Sequence, residues 1–354
     1  MPSFLDTSAP IRPGEDAGID RLIEWLARQL AMPVSDIRIE QFPGGHSNLT
    51  YLVRAGDREL VVRRPPFGTT VKSAHDMGRE FTVLSKLHGP YRPAPKPVLF
   101  CEDESILGVR FYAMERIPGV IYRVKKPEGW ALPPDRVRAA GISFIENLAA
   151  LHAIDYRAVG LESLYKGPGY LKRQIEGWSG RWEAAKTDDL AEMREVRAWL
   201  ESTRPEDAGA SLIHNDYKFD NIVYSANTMS DVVGVLDWEM ATVGDPLSDF
   251  AVTLIGWVPP DLKARSTVSQ SFILGEPGAL THAELIEAYR KLSGRDLSNL
   301  PFYCALALFK GAVMIQQIYL RFHKGLTQDP RFAAMPAVVR SLGQRANEVT
   351  QNGL

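Results

Sequence analysis

The stretch LIHNDYKFDNIVY carries two acids, a lysine and two amides between short apolar runs. Within it, His214, Asp216 and Asn221 form the pattern H-x-D-x-x-x-x-N, and Asp237 ends a later apolar run sixteen residues after Asn221. The oxygen atoms of Asn221 and Asp237 suit Mg²⁺ bridged to phosphates. Asp216 is then free to orient an attacking hydroxyl and take its proton, while Lys218 brings positive charge to the moving phosphoryl group. The pattern predicts phosphoryl transfer; the alternative is a polar hairpin, because Asp and Asn also suit turns.

The first third of the chain predicts a small β-rich region. Apolar residues of GIDRLIEWLARQL recur on one helical face, which predicts a helix near residues 17–31. The segment IRIEQFPGGHSNLTYLVRAGDRELVVRRPP then alternates apolar and polar residues between glycine turns, which is typical of three strands. A helix at residues 75–88 and strands at residues 96–101 and 108–115 are expected to follow.

From about residue 135 the chain is mainly helical. We interpret SLIH and NIVY as a hairpin that carries the polar stretch at its tip, with VVGVLDW as a further strand. The sequence therefore predicts an α+β fold with two lobes. Residues 1–116 would form a small β-rich N-lobe with its N-terminal helix, and residues 117–354 a larger, mainly helical C-lobe. A cleft between two lobes is a common place for a ligand.

The bulk composition disfavours several classes of protein. The 354 residues carry 41 Lys and Arg against 43 Asp and Glu, and this balance argues against a nucleic-acid-binding protein held by its overall charge. Cys101 and Cys304 lie in apolar settings without zinc-ligand spacing, so both are predicted core residues. The N-terminus shows no basic leader, and the apolar runs fall short of the ~20 residues that span a membrane. We expect a cytoplasmic protein without a membrane anchor or an obligate protein partner.

The motifs resemble those of a known family. H-x-D-x-x-x-x-N followed by an Asp at the end of a later strand resembles the catalytic loop and the metal-binding Asp of the protein-kinase-like fold. HNDYKFDNIVY, VVGVLDWEMATVGDPLSDFA and GPGYLKRQIEGW are similar to the aminoglycoside phosphotransferase (APH) family, in particular to its branch associated with acyl-CoA dehydrogenases. The similarity extends over roughly residues 20–340. It implies a small-molecule kinase of bilobal, protein-kinase-like fold that uses ATP and Mg²⁺.

The resemblance implies roles for individual residues of the polar stretch. Asp216 corresponds to the catalytic Asp, and His214 corresponds to the supporting histidine of the loop. Asn221 and Asp237 correspond to the metal ligands. These four positions match the family's pattern in type, order and spacing.

Two further acids lie near these positions in the sequence. Glu239, two residues after Asp237, would contact the metal ligands rather than the metal ion itself. Asp249 resembles the acid that holds the catalytic loop by accepting backbone hydrogen bonds. Both acids are equally compatible with a helix cap or another structural role.

The β-rich region would supply the nucleotide grip. The turn in FPGGHSNLTY could cover phosphates with backbone N–H groups, although a plain hairpin turn has the same sequence features. Its candidate residues are Gly44, Gly45, Ser47 and Asn48. Arg63 occupies the strand position where the resemblance puts a phosphate-binding lysine, and Glu80 resembles the acid that pairs with it; arginine does not substitute freely for an ammonium group. The linker AMERIPG resembles the kinase hinge, where backbone groups of Glu115 and Ile117 would meet the adenine.

The C-terminal part of the chain bears on the acceptor. Asp249 follows only twelve positions after Asp237 and no Ala-Pro-Glu sequence follows, which favours a small molecule over a peptide. Residues 260–354 hold eleven Lys and Arg against seven Asp and Glu, which favours an anionic acceptor unless these charges form a solvated surface. The acyl-CoA branch implies a hydroxyacyl-CoA. Candidate contacts, all equally compatible with surface or core roles, are Lys172, Arg173, Arg181, Lys310, Arg321 and Lys324 for phosphates and Tyr170, Trp178 and Trp182 for an acyl chain.

Three functions are consistent with the sequence. The favoured one is an ATP- and Mg²⁺-dependent kinase that phosphorylates the hydroxyl of a small molecule, with a hydroxyacyl-CoA or a related anionic metabolite as the leading acceptor. The second is an aminoglycoside or amino-sugar kinase, against which the acid-poor C-terminal part argues. The third is a nucleotide-binding pseudokinase with a regulatory role, which Arg63 favours and the set of Asp216, Asn221 and Asp237 disfavours.

Overall fold

The computed structural model describes residues 4–42, 48–66, 76–257, 271–327 and 329–354. The chain forms two compact units, of which the first comprises Met1–Ile121, Pro127–Ala131 and Phe219–Ala241, and the second comprises Tyr122–Lys126, Leu132–Lys218 and Thr242–Leu354. The polar stretch of the sequence is therefore divided between the units after Lys218. Residues 219–241 return to the first unit. The predicted division into residues 1–116 and 117–354 had assigned them to the C-lobe.

The first unit contains an antiparallel sheet of five strands in the order β1-β2-β3-β5-β4. The strands are β1 Ile37–Gln41, β2 Leu49–Ala55, β3 Arg58–Arg64, β4 Pro97–Cys101 and β5 Phe111–Glu115. Strands β2 and β3 meet in a two-residue turn, where Gly56 has φ of 63°, the left-handed conformation that such hairpins need. The predicted strands of this region are confirmed to within a few residues.

Three helices accompany this sheet, namely α1 Ile19–Leu30, α2 Met77–Leu87 and α3 Glu104–Leu107. The apolar face of α1 packs with residues of the sheet in one core, and Trp25 meets Phe111 edge to face at 5.1 Å. Helix α2 begins after Asp76, whose side chain accepts the backbone N–H of Arg79. The predicted helices near residues 17–31 and 75–88 are thus confirmed, whereas α3 was not predicted.

Two short strands, β6 Ser211–Ile213 and β7 Ile222–Tyr224, flank the polar stretch. They do not form the predicted hairpin. Strand β7 pairs with β8, Val232–Val235, in the first unit, and β6 pairs with β9, Thr242–Gly244, in the second. The hairpin interpretation was therefore wrong, because each strand takes its partner from the segment beyond residue 230.

The second unit is mainly helical, as predicted. Its helices are α4 Pro134–His152, α5 Tyr170–Ala185, α6 Ala191–Ser202, α7 Pro246–Gly256, α8 His282–Ser293, α9 Leu300–His323 and α10 Met335–Asn352. Helix α9 packs against α5, α7 and α10. The two predicted core cysteines, Cys101 and Cys304, are buried as expected, one in each unit.

Helix α9 corrects one expectation from the sequence. Within the described residues it is long and apolar enough to cross a membrane by length and composition alone, whereas no run of that length was predicted from the sequence. More than half of its most apolar window is buried inside the protein, however, against the helices named above. The contacts identify α9 as a core helix of the second unit.

Candidate active site

The segment after β6 forms the first part of the site. His214 is fully buried, and Asn215 has a left-handed backbone with φ of 65°, which asparagine tolerates better than most residues. The backbone N–H groups of His214 and Asn215 each donate to one carboxylate oxygen of Asp249 on α7, both at 2.7 Å. The turn that carries Asp216 is therefore held by two charge-assisted hydrogen bonds.

Asp249 is itself fixed inside the helical unit. It is fully buried, and Nε2 of His152 lies 3.2 Å from its Oδ2, while Nδ1 of His152 lies 2.7 Å from the hydroxyl of Tyr289. Burial alone would raise the pKa of Asp249, but the hydrogen bonds from His152 and from the backbone of the loop hold it below its usual value. Asp245 rather than Asp249 caps α7. Asp249 thus makes the loop-holding contacts and not those of a helix cap.

We expect Asp249→Asn to lower the free energy of unfolding by about 3 kcal/mol or more. An amide offers a single oxygen, so one of the two backbone N–H groups would face an NH₂ group inside the protein. Urea denaturation of the full chain measures the loss. Asp155→Asn is the matched control, because Asp155 is exposed and accepts the N–H groups of Arg157 and Ala158 through Oδ1 alone. Equal denaturation midpoints for the two variants would contradict the role of Asp249.

Asp216 and Lys218 form an ion pair at the surface of the second unit. Nζ of Lys218 lies 2.8 Å from Oδ2 of Asp216, and the two side chains are 52% and 28% exposed. Such partly solvated pairs contribute little to stability. The contact therefore matters less for stability than for placing a carboxylate and an ammonium group side by side within reach of solvent.

Arg63 forms the centre of a second cluster, in the β-rich unit. Its Nη1 lies 2.8 Å from Oε1 of Glu80 on α2, and its Nη2 lies 2.8 Å from Oδ1 of Asp237. Glu80 also accepts the backbone N–H of Trp238 at 3.1 Å. Burial raises the pKa of Glu80 to about 7, against the lowering effect of the Arg63 charge. The arginine is almost fully covered and joins the helix, the sheet and the segment after β8.

The β7–β8 pair brings the two predicted metal ligands close in the backbone. Ile222 lies opposite Val235, and the N–H of Leu236 donates to the carbonyl of Asn221 at 2.8 Å. Asp237, the next residue, has φ of 67°, an uncommon left-handed conformation for a residue with a side chain. The left-handed residue ends the strand and turns the chain just where its carboxylate meets the Arg63 cluster.

The charges around Asp237 fit a bound cation. Glu80, Asp237 and Glu239 lie close enough for their charges to influence one another, and Arg63 contacts two of them. Over the described parts of the chain, no three His, Cys, Asp or Glu side chains are grouped as metal ligands. An ion at Asp237 would take further ligands from an asparagine, phosphate oxygens and water, which is how Mg²⁺ is usually held.

Arg79 is a residue of this cluster that the sequence did not reveal. Its guanidinium donates to the backbone carbonyl of Glu239 at 2.9 Å and to that of Ala241. Because Arg79 precedes Glu80 on α2, one turn of helix holds both Arg63 and the segment after Asp237. In the sequence, Arg79 is one of many charged residues on a solvated helix and carries no motif.

Of the remaining predicted residues, Asn48 contacts this cluster, Glu115 and Ile117 make other contacts, and three positions lie outside the described chain. Gly44, Gly45 and Ser47 fall outside the described residues. Asn48 is described: its side-chain nitrogen donates to Glu239 at 2.8 Å, and its buried side-chain oxygen has no hydrogen-bond partner among the described residues. Glu115 lies at the end of β5, where its N–H donates to the carbonyl of Lys96 at 2.8 Å. The side chain of Ile117 covers β8 at Gly234, where an added Cβ would come within 3.0 Å of it.

The sequence comparisons point to one family. The model of the phosphotransferase enzyme family (APH) matches residues 38–290. Human acyl-CoA dehydrogenase family member 11 is 35% identical over 318 residues, which cover 89% of this chain and 40% of that protein. The chain thus spans about two fifths of the length of the curated relatives named first, including the chicken and orangutan proteins.

The comparisons with solved structures concern nearly the whole chain. A Ralstonia eutropha protein provisionally assigned as an aminoglycoside phosphotransferase is 27% identical, with a TM-score of 0.78 over 94% of this chain and 98% of the other. A mutant of aminoglycoside phosphotransferase APH(4)-Ia in complex with AMP-PNP and hygromycin B is 14% identical, with a TM-score of 0.61 over 94% and 99% of the two chains. The second likeness shows the fold alone. Together the two confirm the predicted α+β, protein-kinase-like fold.

Proposed function

The chain belongs to the phosphotransferase enzyme family, whose members are small-molecule kinases with hydroxyl acceptors, and from this premise we propose that it transfers the γ-phosphoryl group of ATP to a hydroxyacyl-CoA. The observation that carries the phosphoryl-transfer chemistry is Arg63 held between Glu80 and Asp237, with both contacts at 2.8 Å. A cation fixed in this way beside a carboxylate at the end of a strand supplies the positioning and charge that phosphoryl transfer needs.

The β-rich unit would bind the nucleotide. In the register of β3 and β5, Leu60 lies opposite Glu115 and Arg63 opposite Tyr112. The predicted adenine contact at Glu115 is therefore about 10 Å from Arg63 along the strand, a separation compatible with the base and the phosphates of one nucleotide. The related APH(4)-Ia structure contains AMP-PNP, which supports ATP as the donor.

Asn221 and Asp237 would hold the metal ion, with Glu239 and the buried side-chain oxygen of Asn48 nearby in the same unit. A bound Mg²⁺ would neutralise the charge that develops on the transferred phosphoryl group. Arg63 keeps the carboxylate of Asp237 turned towards the cluster, and Arg79 fixes the backbone that follows it.

Asp216 would act on the acceptor. Its carboxylate is accessible, and its loop is held by Asp249, so it can accept a hydrogen bond from an incoming hydroxyl and take the proton as the new P–O bond forms. Lys218, 2.8 Å from Asp216, brings a positive charge to the acceptor side of the reaction.

Relatives and charge support the choice of acceptor. The relatives are named as acyl-CoA dehydrogenase family members, which is compatible with an activity on acyl-CoA compounds. The matched part covers 40% of the human protein. The excess of basic residues between residues 260 and 354 suits the phosphates of CoA. An aminoglycoside acceptor is the second candidate, because the related APH(4)-Ia structure contains hygromycin B.

ATP consumption with Mg²⁺ against a panel of acceptors tests the proposal. The panel comprises a 4-hydroxyacyl-CoA, a 3-hydroxyacyl-CoA, the corresponding free hydroxy acids and kanamycin. We expect turnover with a CoA ester and none when Mg²⁺ is removed with EDTA. Turnover with kanamycin alone would replace the proposed acceptor by the second candidate. Bound ATP without turnover on any acceptor would favour the pseudokinase.

A further inference from the structure

Lys310 is a buried cation without an ionic partner. It lies in the middle of α9, is 9% exposed, and forms no ion pair or hydrogen bond within the described chain. Its Nζ lies 5.6 Å from the ring centre of Trp178 on α5, a cation–π contact. Because lysine is almost never buried without a paired group, this position calls for a partner that the described residues do not supply.

The basic side chains of α5 differ from one another in their partners. Lys172 lies at the surface and pairs with Glu176 at 3.8 Å. Arg173 donates to the backbone carbonyl of Gly167 at 2.8 Å. Arg181 stacks on the same ring as Lys310, with its Cζ 4.4 Å from the centre of the Trp178 ring, and it too has no carboxylate partner among the described residues. Within the described chain, one indole ring is thus accompanied by two cations without a carboxylate partner, Lys310 buried and Arg181 exposed.

Helix α5 connects these cations with the catalytic loop. The hydroxyl of Tyr170, at the first residue of α5, lies 3.5 Å from Oδ1 of Asn215, next to Asp216. Trp178 follows eight residues later, which is about 12 Å along a helix. The Lys310 site and the loop therefore belong to one unit and lie at opposite ends of the first two turns of one helix.

The surroundings of Lys310 disfavour its charge. Burial lowers the pKa of Lys310 to about 8, against the raising effect of Asp249, and the charge of Arg181 adds to the lowering. Lys310 is 9% exposed, Trp178 is 8% exposed, and Arg181 on the same ring is exposed, so this group of side chains borders the protein surface. An anionic oxygen at this position would offset the buried charge of Lys310 and would lie near the charge of Arg181.

We infer that Lys310, together with Trp178 and Arg181, binds an anionic group of the acceptor at a distance from the reacting hydroxyl. The inference rests on the proposed kinase function and names the class of acceptor: one with a phosphate on a long arm. The carboxylate of a four-carbon hydroxy acid lies within about 5 Å of its 4-hydroxyl, because three carbon–carbon bonds of about 1.5 Å separate their carbons. This is shorter than the separation of about 12 Å between Tyr170 and Trp178 along α5, which the pantetheine arm of CoA is long enough to span.

The test compares Lys310→Met, which keeps the length and removes the charge, with Lys310→Arg, which restores a charge. Lys186→Met, at the exposed C-terminal end of α5, is the matched control, because Lys186 is not among the candidate phosphate contacts. KM and kcat are measured with 4-hydroxybutanoyl-CoA, its uncharged N-acetylcysteamine thioester and free 4-hydroxybutanoate. Isothermal titration calorimetry measures the Kd for CoA and, separately, for ATP in each protein.

We expect Lys310→Met to raise KM for the CoA ester and Kd for CoA by roughly 10- to 100-fold, the usual effect of a lost hydrogen bond to a charged group. The KM for ATP, the kcat and the KM for the uncharged thioester should stay unchanged, and Lys310→Arg should recover part of the loss. A selective effect on free 4-hydroxybutanoate instead would support the anion site but identify a carboxylate as its ligand. Unchanged constants, or an equal loss with all three acceptors, would overturn the inference.

The pH dependence adds a second readout. Asp249 and Arg181 are the charged groups that act on Lys310 from α7 and α5. Since its pKa is lowered to about 8, the wild-type Kd for CoA should rise above pH 8, whereas Lys310→Arg should show no such rise. If the wild type turns over no acceptor, the proposed function fails, and the CoA titrations still decide the inference. Absence of CoA binding by the wild type would refute it.

Discussion

Asp216→Asn should lower kcat by roughly 100- to 10,000-fold, the range attributed to a positioned general base. The amide keeps the size of the side chain and can still contact a hydroxyl, but it cannot take the proton. Because Asp249 holds the loop through the backbone of His214 and Asn215, the substitution leaves the loop geometry in place. Single-turnover phosphoryl transfer to the best acceptor of the panel measures the effect directly.

The same variant should bind ATP as the wild type does. The Arg63 cluster belongs to the first unit, whereas Asp216 belongs to the second, so no described contact of the cluster changes. Asp155→Asn, which replaces an exposed acid of the second unit, is the control and should retain full activity. A loss of less than threefold in Asp216→Asn would exclude Asp216 as the base and direct attention to another acceptor of the proton.

The sequence predicted most of the helices and strands in which apolar residues recur with a clear period. The apolar stripe of α1 and the alternation of β2 and β3 extend over enough residues to distinguish helix from strand. The pairing of β6 and β7 was wrong because each strand has only three residues, too few to specify a partner. Strand β9 also has three residues and escaped notice for the same reason.

The candidate site was predictable where chemistry constrains residue type and spacing. The contact between Arg63 and Glu80 was predicted and is present at 2.8 Å, although its role in binding a nucleotide stays a prediction. The bonds from Arg79 to two carbonyl groups could not be predicted, because backbone acceptors leave no mark on the sequence. Lys310 was one of six basic residues predicted as candidate phosphate contacts, and only its burial in the folded chain distinguished it from the other five. The same lysine interrupts the long apolar run of α9, which was not predicted from the sequence.

Arg63→Met should destabilise the protein by about 3–5 kcal/mol, the cost of breaking a buried ion pair from one side. The guanidinium contacts Glu80 and Asp237 through different nitrogens, and both the arginine and Glu80 are almost fully buried. Removing it leaves two carboxyl groups facing each other without a cation. Urea denaturation of the full chain measures the change, and Arg54→Met on β2 should cost less than about 1 kcal/mol because its ion pairs are exposed.

Two further variants separate charge from shape at Arg63. Arg63→Met combined with Glu80→Gln should recover at least half of the lost stability, because the uncompensated buried charge is gone. Arg63→Lys should lie between the wild type and Arg63→Met, since one ammonium group cannot reproduce the two-sided contact at 2.8 Å to Glu80 and Asp237. If the double variant is no more stable than Arg63→Met, the arginine acts by filling space rather than by joining two acids. In that case the choice of arginine over lysine at this strand position would have no electrostatic basis.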